Sequence, residues 1–483
     1  MNSAPVIDLS QVGPLSDRLT AVYLEFNGVL PVRAEDGLVT IATWMPPADV
    51  DPQVLDDMRF LFDAEPEIVH ATEAEVRAAI RRVYGGEGVT AEGVIAGMDG
   101  EPGGTAESPA ESALDDLVHL ANEGPVVKLV NLILLEALEA RASDVHIEGY
   151  ADTLRVRYRI DGVLQDGPTP PAHLKAAIVS RLKIMADLDI AERRVPQDGR
   201  IRLRLQDRQV DVRVSTVPVL HGESVVLRLL DKEHARIGLE DLGMSDDTAR
   251  AFAQAIRRPH GIVLSTGPTG SGKTTTLYAA IDQIRTGREK ILTVEDPVEY
   301  ELPGVPQVPV HEKVGLTFAT ALRSLLRQDP DVLLVGEIRD EDTAEIATHA
   351  ALTGHLVLST LHTNDAPSAL VRLLDLGLAP YLVASTVEAV LAQRLVRRIC
   401  VACRGHEGGC LECRNTGYRG RTGIYELLVM TNELRKALPQ HRGAGELRAL
   451  AVASGMRTLR DDGMRLVAEG VTTPEEVDRV TNE

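Results

Sequence analysis

Gly261-Ile262-Val263-Leu264-Ser265-Thr266-Gly267-Pro268-Thr269-Gly270-Ser271-Gly272-Lys273-Thr274 is the stretch that decides the fold. Its last eight residues fit the phosphate-loop pattern G-x-x-x-x-G-K-[ST] at every fixed position. The first six read as a buried strand, and Thr274, Thr275 and the residues up to Ile284 read as a helix with one apolar face. Three glycines allow the backbone to curl so that successive N–H groups point at one oxyanion, and the helix N-terminus adds its partial positive charge. Lys273 is placed to reach the outer phosphates and the Thr274 hydroxyl to ligate Mg²⁺. A glycine-rich turn with a solvated lysine lacks this strand-loop-helix setting. The chain therefore binds ATP or GTP.

Around this loop, apolar runs alternate with helical patterns: Gly261–Thr266, 290–294, 331–336 and 356–360. Runs without period-2 alternation indicate strands buried on both faces, hence a parallel sheet between helices. Ligands in such folds bind at the carboxyl ends of the strands. Three further clusters fall at strand ends: Thr293-Val294-Glu295-Asp296-Pro297-Val298-Glu299, Asp329-Pro330-Asp331-Val332-Leu333-Leu334-Val335-Gly336-Glu337-Ile338-Arg339-Asp340, and Thr353 to Asn364 with His355 and His362. Cleaving a γ-phosphoryl group needs Mg²⁺ held by an acidic side chain, a group that positions water, and cations for the developing charge. Acidic residues ending buried strands beside the loop meet the first two needs, and histidines flanking a strand can sense the γ-phosphate.

The other regions are read from composition and period. At 483 residues the chain exceeds one core and suggests three or four domains. Residues 1–92 read as a small α/β module, with Asn27-Gly28 and Asp36-Gly37 breaking short strands and helices at 52–64 and 73–84. Residues 93–112, rich in Gly, Pro, Ser and Glu, read as a flexible linker. Residues 113–235 read as a second α/β domain on an antiparallel sheet, its strands alternating in period 2 at 144–147, 154–160, 200–205 and 210–214. The nucleotide domain is placed at 236–395, a metal element at 396–418 and a helical part at 419–483.

All four cysteines lie in Cys400-x-x-Cys403-x6-Cys410-x-x-Cys413. Two C-x-x-C pairs can present four thiolates to one ion, for which Zn²⁺ is the usual occupant, and a closed tetrahedral set is structural. His406 is an alternative ligand. Formal charge is −21, and residues 1–112 carry 20 Asp and Glu against 6 Lys and Arg. That balance, without aromatic-basic stacking segments, argues against a nucleic-acid partner. No run of 18 apolar residues exists, and the reading is of a cytoplasmic protein.

The motif set resembles the secretion ATPase superfamily that drives type II secretion and type IV pilus assembly. The resemblance rests on the Walker A loop, an aspartate box (Thr293–Tyr300), an atypical Walker B within Leu333–Asp340 and a histidine box. It extends to Ala142–Glu148, Arg159–Leu164, Val195–Arg200, the tetracysteine element and Gly417–Glu426. The stretch Leu227–Met244 is more similar to the type II secretion branch than to the pilus branch. The spacer between the cysteine pairs is shorter than in most relatives.

The resemblance implies a RecA-type P-loop NTPase domain preceded by a PAS-like α/β domain. It also implies ATP, Mg²⁺ and Zn²⁺ as cofactors. Gly267 to Thr275, Glu295, Asp296, His355 and His362 would surround the nucleotide. Glu337 would hold the metal through water, and Glu299 would polarise the attacking water. Arg194 and Arg200, with Arg213 less directly, would reach a nucleotide across a subunit boundary. It further implies a homo-hexamer that is peripheral at the inner membrane and works on secretion platform proteins there.

Overall fold

The computed structural model describes residues 124–205, 208–231, 237–440 and 443–481. In the amino-terminal module it describes 27–35, 37–46, 50, 52–62 and 64–83, with isolated positions before 27. The linker expected at 93–112 and the start of the helix after it lie outside the described residues. The chain forms two compact units, Met1–Leu229 and Leu230–Glu483.

In the first unit, β1 (Val29–Glu35) and β2 (Leu38–Thr43) form an antiparallel hairpin, and β3 (Glu65–His70) joins β2 in parallel. Gly37, at φ +77°, makes the turn that the Asp36-Gly37 pair predicts. Strand β3 was not predicted. Its sequence, Glu-Pro-Glu-Ile-Val-His, has two apolar residues and no alternation to flag it.

The second sheet of this unit contains β4 (Ala142–Gly149), β5 (Leu154–Ile160), β6 (Val163–Asp166), β7 (Gln197–Leu205), β8 (Arg208–Val219) and β9 (Gly222–Asp231). They lie in the order β6-β5-β4-β9-β8-β7. The β4–β5, β4–β9, β5–β6 and β7–β8 pairs are antiparallel, as the period-2 pattern requires. Leu154, Val156, Tyr158 and Ile160 are buried against helices Gly124–Glu139 and Lys175–Met185. Arg155, Arg157 and Arg159 therefore take the opposite face.

The second unit is built on seven strands. They are β10 (Gly261–Thr266), β11 (Ile291–Glu295), β12 (Gln307–Pro309), β13 (Val332–Val335), β14 (Leu356–Leu361), β15 (Val387–Ile399) and β16 (Tyr418–Val429). The order is β12-β11-β13-β14-β10-β15-β16, and every pairing is parallel except β15 with β16. All residues of β10, β11, β13 and β14 are buried. Alternate residues serve two cores: Ile262 and Leu264 face one, Val263 the other. Helices Asp246–Ala255 and Lys273–Ile284 cover the second core, and the carboxyl-terminal helices cover the first.

Two expected boundaries move. A domain limit at 395 falls inside β15, which runs on to Ile399 and belongs to the nucleotide sheet. The part expected to be helical from 419 begins as strand β16, whose Ile424 and Leu428 join the same core as Leu434, Leu447, Leu459 and Leu466. The tetracysteine segment is therefore the tip of the β15–β16 hairpin rather than a link between domains. In sequence, the cysteines invited a cut where the hydrogen-bond ladder is continuous. Among the described residues, no helix is long and apolar enough to cross a membrane.

Candidate active site

The phosphate loop leaves β10 at its carboxyl end and enters helix Lys273–Ile284 through Gly272, at φ +88°. Gly267 is required by close approach. A Cβ there would lie 2.6 Å from both the Ser271 Oγ and the Gln393 carbonyl oxygen, and 3.2 Å from Arg394 Nη1. Ser271 Oγ is buried with no hydrogen-bond partner among the described residues, an orphan hydroxyl that a phosphate oxygen would satisfy. Lys273 is buried and turns back on its own loop, donating to the carbonyls of Gly267 (2.7 Å) and Pro268 (3.0 Å). Burial, assisted by Arg394 and opposed by Glu337, brings its ammonium down to about 8. An anion in the loop would reverse that shift, because an opposite charge favours the protonated form. The cradle, the orphan hydroxyl and the folded-back lysine fit a nucleotide triphosphate.

Glu337 follows β13 at the same sheet edge and is 9% exposed. Its carboxylate accepts from Arg339 Nη2 at 2.6 Å and faces His362 Nε2 at 3.3 Å. Lys273 and Glu337 interact electrostatically, so the loop, the Walker B glutamate and His362 form one cluster. Burial and the nearby Lys273 hold the His362 imidazole below its usual range, against the pull of Glu337. Glu337 and Thr274 carry hard oxygen donors of the kind that Mg²⁺ prefers.

His355 is elsewhere. It precedes β14, whereas His362 follows it, and six strand residues separate the two by roughly 20 Å. Its Nδ1 pairs with the Ala350 carbonyl at 2.9 Å, closing the end of helix Glu341–Leu352. The expectation that both histidines meet one nucleotide fails within a single chain, because a strand with its ends at opposite edges lies between them. Glu295 also differs from expectation. It is 4% exposed, and its oxygens accept from the Tyr278 hydroxyl, Thr293 Oγ1 (2.6 Å) and Gln307 Nε2 (3.0 Å). A carboxylate so occupied is an anchor. Asp296 is exposed and Glu299 half-buried on the loop that follows.

Two residues that sequence reasoning did not single out complete the edge. Gln393 accepts from Ser265 Oγ (3.2 Å) and donates to the Ser271 carbonyl (2.7 Å). Arg394, 5% exposed, donates to the Asn364 carbonyl at 3.1 Å. The only trace in the sequence is a polar pair inside the otherwise apolar run Ala389–Val396. Arg339 was likewise quoted in its motif without a role.

Arg194, Arg200 and Arg213 belong to the first unit. Arg194 is 87% exposed and paired with Glu192 at 2.7 Å. Arg200 and Arg213 are direct cross-strand neighbours and, with Arg228 and Asp198, line a groove of about 430 Å³. Like charges placed opposite each other on a sheet are unfavourable.

At the hairpin tip the four Sγ atoms lie within 4.8 Å of one another. Cys400 to Cys410 is 3.9 Å and Cys403 to Cys413 is 3.8 Å. A tetrahedron with Zn–S bonds of about 2.3 Å has edges of about 3.8 Å. Backbone N–H groups of Cys410 (3.1 Å) and Gly417 (3.3 Å) point at Cys413 Sγ, as thiolate ligands require. The donor set fits zinc, and His406 is not part of it.

A parallel sheet with a phosphate loop at its carboxyl edge, a buried Walker B glutamate and a histidine beside it defines a P-loop ATPase of the RecA type. The family described as Type II/IV secretion system protein matches residues 119–479, and the MshEN domain matches residues 2–90. The chain belongs to the Type II/IV secretion system protein family. It is 45% identical to type II secretion system protein E of Xanthomonas campestris, over 99% of this chain and 88% of that protein. It is 55% identical to the type II secretion system protein HxcR of Pseudomonas aeruginosa, over 76% and 80% of the two chains. It is 46% identical to the type IV pilus assembly ATPase PilB of Myxococcus xanthus, over 88% and 79%. Among solved structures it resembles the pilus retraction motor PilT with bound ADP. There the TM-score is 0.53 at 28% identity, covering 73% of this chain and 96% of that one.

Proposed function

We propose that this chain is a Mg²⁺-dependent ATP hydrolase that powers protein export by a type II secretion system. In this reading it acts as a homo-hexamer, peripheral at the cytoplasmic face of the inner membrane, with secretion platform proteins as partners. The observation that carries the reading is the convergence of Lys273, Glu337 and His362 at one sheet edge. The near full-length likeness to a type II secretion system protein E supports it.

In this mechanism the loop N–H groups and Lys273 grip the phosphates, and Lys273 gives up its carbonyl partners to do so. Mg²⁺, held through Thr274 and by Glu337 through water, would neutralise charge on the phosphate oxygens. Glu299 orients the attacking water. His362 is neutral near pH 7 and links the Glu337 carboxylate to the histidine-box loop. Arg194 and Arg200, on the first unit, would approach the nucleotide of a neighbouring subunit. In doing so Arg194 exchanges Glu192 for phosphate. Zinc at the four cysteines would fix the hairpin tip, with no open position for catalysis.

The second reading is a pilus assembly ATPase, favoured by the similarity to the Myxococcus PilB. Deleting the gene separates the two. Loss of exported protein with normal pili supports secretion, and the reverse supports pilus assembly.

A further inference from the structure

The hydroxyl of Tyr278 sits at the centre of a buried polar knot that no step above uses. Tyr278 lies on the helix that begins at Lys273 and is wholly buried. Its hydroxyl donates to Glu295 Oε2, the last residue of β11. The two Nε2 hydrogens of Gln307, on β12, are shared among that hydroxyl (3.3 Å), Glu295 Oε1 (3.0 Å) and the Tyr300 carbonyl (3.2 Å). It also accepts from the Leu302 N–H at 2.7 Å. The rings of Tyr278 and Tyr300 meet edge to face with centroids 4.6 Å apart. Burial, with the adjacent Glu295 carboxylate, raises the Tyr278 phenol far above its usual range, and the backbone N–H of Glu299 opposes this as a donor to the phenol oxygen. The phenol is therefore a fixed neutral donor that also accepts.

These contacts have one geometric consequence. Residues 296–306 leave the sheet at Glu295 and return to it at Gln307, and both ends of the loop bind the same hydroxyl. That hydroxyl belongs to the helix whose first residue is the phosphate-binding lysine. Glu299 is carried between the two anchors.

We infer that Tyr278 is a positioning residue for hydrolysis: its hydroxyl sets the place of the Glu299 segment relative to the phosphate loop, with Glu295 and Gln307 as its anchors. The inference rests on the reading of Glu299 as the residue that orients water. A residue serving only to fill the core could be phenylalanine, and a structural tyrosine would need one partner for its hydroxyl. The buried hydroxyl shared by three polar partners asks for more, since groups that act on a reacting atom must be held by neighbours locked in turn. A misplacement of about 1 Å costs on the order of 10²-fold in rate.

Tyr278→Phe keeps the ring and its contact with Tyr300 and removes only the hydroxyl. In the full-length protein, kcat should fall about ten- to a hundredfold, while the Kd for ATP stays within about twofold. Amide exchange should accelerate over 296–302 and remain unchanged over 267–274. Gln307→Met should give the same split with a smaller loss. Unchanged kcat in Tyr278→Phe would overturn the inference. So would parallel loss of ATP affinity, because a merely structural tyrosine would loosen the phosphate loop as well. Glu299→Gln, assayed alongside, keeps the two readings apart. A wild-type rate there sinks the water-orienting role of Glu299 and removes the target of the phenol. A slow Glu299→Gln beside a fast Tyr278→Phe sinks the Tyr278 inference alone.

Discussion

The phosphate edge and the cysteine tip lie along the same strand, β15, and are organised in opposite ways. At the phosphate edge, Lys273, Glu337, His362, Gln393 and Arg394 come from segments of four strands spread over 122 residues of chain, and Glu337, Gln393 and Arg394 are each bonded to a partner distant in sequence. At the tip, four ligands within fourteen residues close on one another, and the hydrogen bonds to sulfur come from the same segment. The first site is a product of the sheet. The second is a local device that the sheet holds out: β15 continues from Arg394, beside the loop, through five further residues to Cys400. A substitution at the edge should therefore reach every function of the unit, whereas one at the tip should remain local.

Four measurements test that contrast, in descending order of effect. Lys273→Ala should lower ATP turnover by about 10³-fold or more with an unchanged circular dichroism spectrum, since it removes the main cation for the transferring phosphoryl group. Turnover near the wild-type rate would end the ATPase reading of the edge. Glu299→Gln should lower kcat by about 10²-fold while binding of a nonhydrolysable ATP analogue persists.

Elemental analysis should find one zinc per chain. Cys413→Ser or chelation should then raise protease sensitivity between 398 and 421 without weakening ATP binding. If ATP binding fell together with the metal, edge and tip would not be independent.

The smallest effect concerns pH. Glu476, on helix Pro474–Thr481, is buried, which opposes its ionisation. Arg397 and Arg479 outweigh this and hold the carboxyl down to about 2. Its folded value lies below the ordinary 4.5, so its stabilising contribution is complete above about pH 4.5 and is lost as pH falls from there toward 2. Acid should loosen the carboxyl-terminal helix from β15 before the sheet opens, read as faster amide exchange over 474–481.

Much of this was legible in the chain. Strand β10 was predicted to its end residues, and β5 likewise, because a fully apolar run and a strict period-2 pattern each have one reading. The antiparallel second domain and the clustered cysteines followed for the same reason. Strands β3, β9, β12, β15 and β16 were missed. Strand β12 has three residues, and β16 mixes Tyr, Arg, Gly and Thr before its apolar end, so neither carries a period. His355 was assigned to the nucleotide because sequence shows two histidines flanking a strand, without showing that flanking places them at opposite edges.

The sequence by itself determined the chemistry that can occur: a glycine loop with lysine and threonine, four thiols at ligand spacing, and acidic residues at strand ends. Local backbone geometry and side-chain type are sufficient for each. Only the tertiary structure decided which of these groups are available. It used Glu295 as an anchor, carried His355 to the far edge and brought Gln393 and Arg394 against the loop. The reason is that hydrogen-bond partners in a parallel sheet come from strands far apart in the chain, and a carboxylate held by three buried donors is fixed in place and shut away from solvent.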